Sequence, residues 1–224
     1  MIARACAGHG DTPLVVLRHS ARGAIRSADV AEAMRTPLTE QGRSLARELG
    51  GLLPRARSLR LWWSPVSRCR DTAECIAAGL RSGGGTAALA GEQELLGATY
   101  VRAGSEIVRE FAARGPRGFV RAWFSGELGG ELIDEPREAG RRLLRGLLAL
   151  RATAQPGGDI DVHVTHDLTL VLLLGLVRDV TEEAFVWPGY LDGVALLPRG
   201  AKIEWQAGED VFVSDADGAT LPTV

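Results

Sequence analysis

Two short apolar runs, Leu14-Val15-Val16-Leu17 and Ile160-Asp161-Val162-His163-Val164, each end on a polar pair containing a histidine: Arg18-His19 and Thr165-His166. The first run is apolar at every position, as a strand must be when both faces of a parallel sheet are covered. The second alternates like a strand. Between and after them the apolar period turns helical. Leu45, Ala46, Leu49, Leu52 and Leu53 follow Thr39, a suitable N-cap, with Gly50-Gly51 near the expected stop. A second strand over 59–63 is ended by Ser64-Pro65, and a helix runs from Val66 or Ser67 to about Leu80. Leu143, Leu144, Leu147, Leu148 and Leu150 mark a helix over 136–150, and 168–177 reads as another. Two antiparallel strands, 193–197 and 201–205, close the chain around Pro198-Arg199-Gly200. This alternation predicts an α/β fold: a three-layer sandwich whose mainly parallel central sheet is flanked by helices, with ligands outside the carboxyl ends of its strands. Both strand-ending histidines fall there.

At 224 residues, 46% hydrophobic and 24% charged, the chain suits a single domain spanning 1–224. The stretch 87–134 carries two short helical patterns separated by glycine and proline, and is expected to be an insertion that forms a lid over one face of the sheet. A net charge of −2 gives no field to draw a polyanion, which argues against a nucleic-acid partner. The longest apolar run is too short to span a membrane. The opening residues lack the apolar stretch of a secretory signal. Cys6, Cys69 and Cys75 show neither disulfide-framework nor zinc-ligand spacing, so a cytoplasmic protein with free thiols is expected.

Four motifs narrow the chemistry. Leu17-Arg18-His19-Ser20-Ala21-Arg22 resembles the signature of the histidine phosphatase superfamily, R-H-G with an arginine two residues beyond, except that Ser20 stands where glycine is usual. Leu38-Thr39-Glu40-Gln41-Gly42 is similar to the first helix of that family. Ser64-Pro65-Val66-Ser67-Arg68-Cys69-Arg70-Asp71-Thr72-Ala73 is similar to its S-P-x-x-R-x-x-x-T-A element, and Thr165-His166-Asp167 to the His-Asp element of its acid-phosphatase branch. The order is right and both ends of the domain are covered, with the middle unmatched. The resemblance implies a phosphoglycerate mutase-like fold and a phosphatase that uses neither metal nor cofactor.

It also assigns roles. A phosphomonoester brings two negative charges that must be held while a nucleophile attacks phosphorus in line. His19 would be that nucleophile, phosphorylated and then hydrolysed. Arg18, Arg22 and Arg68 would hold the nonbridging oxygens, joined by the cation of a protonated His166. The leaving group needs a proton. Asp167 is the donor position of the acid-phosphatase branch. Glu94, in Glu92-Gln93-Glu94-Leu95-Leu96-Gly97, lies where the mutase-like branch keeps its catalytic glutamate. That branch usually has glycine after the second histidine, which favours Asp167. Ser20 puts a side chain beside the nucleophile, to crowd the phosphate or to donate to it.

The remaining notable residues have plainer readings. His163, one pleat away from the catalytic direction, reads as a core residue, and His9 as solvated. Arg70 is expected to pair with Asp71 or Glu74, and Arg141, Arg142 and Arg145 to face solvent. Arg26 and Arg35 either extend the positive pocket or cover the surface. Trp187-Pro188-Gly189-Tyr190 follows the His166 helix and is a candidate pocket wall. The expected function is hydrolysis of the phosphate ester of a small organic molecule. The alternatives are a phosphoglycerate-mutase-like phosphotransferase and a catalytically silent module that binds a phosphorylated ligand.

Overall fold

The structure is a computed structural model, and it describes residues 13–24, 30–152 and 159–216. Seven strands form one sheet: β1 (Leu14–Arg18), β2 (Ser58–Trp63), β3 (Ala87–Glu92), β4 (Asp159–Thr165), β5 (Gly193–Arg199), β6 (Lys202–Ala207) and β7 (Asp210–Asp215). Their order is β3-β2-β4-β1-β5-β6-β7. The pairs β3-β2, β2-β4 and β4-β1 are parallel, whereas β1-β5, β5-β6 and β6-β7 are antiparallel. The helices are α1 (Val30–Arg35), α2 (Glu40–Leu52), α3 (Ser67–Ser82), α4 (Gly104–Phe124), α5 (Pro136–Arg151) and α6 (Asp167–Leu174), with a 3-10 turn over Glu94–Leu96.

β1 is buried along its whole length and divides the core between two layers. Leu14 and Val16 face a cluster that takes in Phe119 and Trp123 of α4, Leu143, Leu144 and Leu147 of α5, and Leu170 to Leu174 of α6. Val15 and Leu17 face the other cluster, with Ala46 of α2 and Cys69, Ala73 and Ile76 of α3. The period-2 alternation of β1 thus fixes which helices cover which face. Each large apolar side chain buried there contributes about 1.5–3 kcal/mol.

Helix starts follow local chemistry. The Thr39 hydroxyl accepts from Gly42 N at 3.0 Å and opens α2. Glu135 accepts from Arg137 N and Glu138 N at 3.1 and 2.6 Å and opens α5, whose first residue is Pro136. Gly50 lies in the last turn of α2, which ends at Leu52, close to the expected stop. A Cβ there would sit 2.1 Å from Ile76 O, so this glycine lets α2 and α3 pack closely.

The stretch over 87–134, expected to be an insertion, opens on a strand of the sheet. Ala87–Glu92 is the edge strand β3, and its interrupted pattern, including Gly91 at φ 128°, reflects a register shift against β2 between Leu61 and Trp62. The two short helical patterns that follow are the halves of α4, broken at Gly115-Pro116, where Gly115 takes φ 67°. β7 and α1 had no expected counterpart. Among the described residues no helix is long and apolar enough to cross a membrane. Cys69 and Cys75 are buried free thiols, while Cys6, His9 and Arg26 lie outside the described residues.

Candidate active site

Three parallel strands end side by side, and their ends carry the site. His19 N donates to Thr165 O at 2.9 Å, and Ser64 N to Val164 O at 3.0 Å, tying the residues after β1 and β2 to the end of β4. His19 and His166 are thereby brought to 5.5 Å between ring centroids, nearly perpendicular to each other. The first turn of α3 supplies Arg68 between them.

Hydrogen bonding fixes the state of His19. Its Nδ1 lies 2.8 Å from Ser20 O. A carbonyl only accepts, so Nδ1 carries the proton and Nε2 keeps its lone pair. Arg68 Nε donates to that Nε2 at 3.0 Å. Burial first, with the charges of Arg68 and Arg18, outweighs the Ser20 hydrogen bond and brings the His19 pKa down to about 3. A neutral imidazole with an unprotonated Nε2 becomes a nucleophile once Arg68 is drawn away from that lone pair.

His166 caps the N-terminus of α6. Its Nδ1 faces Arg68 Nη2 at 3.4 Å and must accept, which leaves Nε2–H to donate to the Ser64 hydroxyl at 2.9 Å. Burial, followed by Arg68, Arg18 and Arg22, lowers its pKa to about 3. The sequence suggested a cationic His166, but in the unliganded pocket it is neutral, because desolvation and three guanidinium groups all oppose a further positive charge.

The three arginines expected to hold phosphate lie around the histidines. Arg68 Nη1 also donates to Ala33 O at 2.8 Å, so the end of α1 closes against it. Arg18 donates from Nη1 to Pro188 O at 2.7 Å and pairs through Nη2 with Asp167 Oδ2 at 3.0 Å, while its buried Nε has no hydrogen-bond partner among the described residues. Arg22 Nη1 donates to Gly23 O at 2.9 Å, and its charge is near enough to depress both His166 and Arg68.

The two candidate proton donors sit differently. Asp167 accepts on both oxygens: Oδ2 from Arg18 and, at 3.4 Å, from Trp187 Nε1, and Oδ1 from Leu168 N at 2.9 Å. Glu94 is exposed, and its carboxylate makes no ion pair or hydrogen bond among the described residues. Its 3-10 turn is anchored at the same strand ends, where Thr165 Oγ1 donates to Leu96 O at 2.6 Å and Gln93 N to Trp63 O at 2.8 Å.

Ser20 neither crowds the pocket nor reaches into it. It is fully buried, and its hydroxyl donates to Gly42 O at 2.7 Å, away from the histidines. Its N donates to Thr72 Oγ1 at 3.0 Å. A Cβ at Gly42 would lie 2.0 Å from Ala21 O, so the loop after the nucleophile is pressed onto the start of α2. Ser64, Thr72 and Gly42 were all in the quoted motifs, yet only their spatial partners reveal that they position His19 and His166.

Tyr190 proves closer to the chemistry than the rest of its segment, with its ring 5.8 Å from that of His19 and 4.4 Å from the Arg18 guanidinium carbon. His163 is buried and stacks on Trp62, away from the site. Arg70 pairs with Asp71 and Glu74, and Arg142 and Arg145 pair on the surface with Asp134 and Glu138. Arg35 ends α1, exposed. Among the described residues no cluster of three or more His, Cys, Asp or Glu is placed to hold a metal ion.

The sequence model of the histidine phosphatase superfamily (branch 1) matches residues 14–190. A search of the curated proteins finds no match. Similar solved structures include a mycobacterial hydrolase at 20% identity and TM-score 0.60, with 88% of this chain and 97% of that one covered. Another is a mycobacterial glucosyl-3-phosphoglycerate phosphatase at 20% identity and TM-score 0.56, covering 89% and 98%. A third is a phosphoglycerate mutase from Bacillus anthracis at 14% identity and TM-score 0.57, covering 90% and 94%. At these identities the likeness is one of fold.

Proposed function

The chain belongs to the histidine phosphatase superfamily, and on that footing we propose that it hydrolyses a phosphomonoester of a small organic molecule through a phosphohistidine on His19 Nε2. The observation that carries the reading is the state of His19: Nδ1–H is spent on Ser20 O, and the unprotonated Nε2 is met by Arg68 Nε, a donor that an incoming anion can draw away. As the ester enters, its nonbridging oxygens draw Arg68 off Nε2 and take N–H groups from Arg18 and Arg22. Nε2 attacks phosphorus and the ester oxygen departs. The imidazole gains positive charge, which the Ser20 carbonyl offsets through Nδ1–H. The dianion also reverses the balance at His166, which takes up a proton and joins the clamp.

We assign the donated proton to Glu94, reversing the weight that the sequence put on Asp167. A general acid carries its proton on an oxygen, and both oxygens of Asp167 already accept from Arg18, Trp187 and Leu168. Asp167 instead orients Arg18. Glu94 is exposed with free oxygens, and the sequence resemblance sets it roughly where the mutase-like branch has its catalytic glutamate. In the second half-reaction its carboxylate takes a proton from the water that cleaves the N–P bond. No step calls for a metal. Buried thiols at Cys69 and Cys75 support a reducing, cytoplasmic setting.

The test is hydrolysis of p-nitrophenyl phosphate in excess EDTA by wild type and His19→Ala. Turnover by wild type that the substitution abolishes is expected. Equal turnover by both would sink the assignment.

A further inference from the structure

Beside the nucleophile the chain holds a tight turn from Gly189 to Asp192. Leu191 adopts φ 62°, the only positive-φ residue other than glycine among the described residues. Such a conformation persists where the surroundings over-determine it, and it collects at functional sites. Four hydrogen bonds do so here. Asp192 Oδ2 accepts from Gly189 N at 2.7 Å, and Asp192 N donates to Gly189 O at 3.2 Å. Arg18 N donates to Asp192 O at 2.8 Å, and Arg18 Nη1 to Pro188 O at 2.7 Å.

What the strained turn presents is Tyr190. Its ring lies against the Arg18 guanidinium and near His19, yet 40% of the residue stays exposed. A tyrosine serving only as core would be covered, and one serving only as surface would not be fixed by bonds to the strand that carries the nucleophile. Trp187, whose indole meets Phe111 edge-on at 6.3 Å, extends the aromatic surface behind the turn. The phosphate oxygens are met by guanidinium N–H groups, so the part of a bound ester left to meet an apolar ring is its organic group. Building on the phosphatase reading above, we propose that Tyr190 is a specificity-determining residue that receives this organic group, so that the site prefers phosphomonoesters with a flat ring next to the phosphate.

The test compares benzyl phosphate with propyl phosphate, both of which release an alkoxide, so that intrinsic leaving-group reactivity is matched. The readout is the ratio of their kcat/KM values in wild type, Tyr190→Phe and Tyr190→Leu. Wild type should favour the benzyl ester. The preference should persist in Tyr190→Phe and shrink about tenfold in Tyr190→Leu, the scale of one aromatic pair. A ratio unmoved by Tyr190→Leu, or the absence of any benzyl preference in wild type, overturns the proposal, because a purely structural role would slow both esters alike. Labelling of His19 by phosphoramidate, which has no organic group, separates the two readings. Labelling without ring preference defeats this inference alone, whereas no labelling defeats the phosphatase reading and this inference with it.

Discussion

Replacing His163 with leucine should raise stability and flatten its dependence on pH. His163 is completely buried, stacks on Trp62 with an interplanar angle of 8°, and has no hydrogen-bond partner on either ring nitrogen among the described residues. Burial lowers its pKa from 6.5 to about 4, against the attraction of Asp161, with Arg60 adding to the fall. The folded state therefore holds this imidazole neutral, while the unfolded chain protonates it near 6.5. Its contribution is intact above pH 6.5 and is lost as pH falls from 6.5 towards 4. At about 1.36 kcal/mol per pKa unit, the loss is about 2 kcal/mol by pH 5 and about 3.4 kcal/mol in full. Leucine has nearly the volume of histidine, leaves no unpaired nitrogen, and does not titrate. His163→Leu should be more stable than wild type by roughly 1 kcal/mol at pH 8, from relief of buried unsatisfied groups, and by roughly 3 kcal/mol at pH 5 once the titration is added. Urea unfolding followed by tryptophan fluorescence from pH 8 to pH 5 measures the difference. Because His19 and His166 titrate in both proteins, subtracting the curves isolates this residue. Curves that stay parallel within about 0.5 kcal/mol would show that His163 is not held neutral and would refute the reasoning.

Other consequences are as direct. Ser20→Gly loses the bond to Gly42 O and should cost about 1–2 kcal/mol in urea unfolding, while kcat stays within a few fold because the hydroxyl faces away from the pocket. Gly42→Ala forces a Cβ onto Ala21 O; it should destabilise by about 1–3 kcal/mol and lower kcat by displacing the His19 loop, as steady-state kinetics would detect. Glu94→Gln should slow an alkyl phosphate about 10²–10⁴-fold and p-nitrophenyl phosphate far less, since nitrophenolate leaves without a proton; if Asp167→Asn shows that pattern instead, the donor assignment is wrong. Since the His19 pKa lies at about 3, kcat/KM calculated on the concentration of the phosphate dianion, whose protonation has a pKa of about 6, should show no remaining acid limb near pH 6.5, the ordinary histidine value, and a remaining limb there would contradict a neutral buried nucleophile.

The fold was legible where burial leaves a periodic mark. β1 reads as a fully covered strand because all five of its residues are buried, and α2 and α3 follow from a helical period with Thr39 at the start. β3 was not legible, because an edge strand with a glycine at its register shift carries no alternation. The candidate constellation was legible as residue types in order, with His19, His166 and the three arginines brought together. Protonation states were not, since His166 is held neutral first by burial and then by three guanidinium groups that converge from separate parts of the chain. The direction of the Ser20 hydroxyl was equally hidden, set by Gly42 approaching from α2. Tyr190 could be placed near the pocket from its position after the His166 helix, but its contact with Arg18 depends on a left-handed residue that nothing in the local sequence demands.

The central claim is that phosphorus is transferred to His19 Nε2. The most direct measurement mixes the protein with a phosphate ester in excess EDTA, quenches the reaction in alkali, which preserves phosphohistidine, and maps the peptides by mass spectrometry. The account predicts one phosphoryl group on His19, removed by acid and absent from His19→Ala. Turnover without a phosphoryl group on His19, or with it on another residue, would contradict the account.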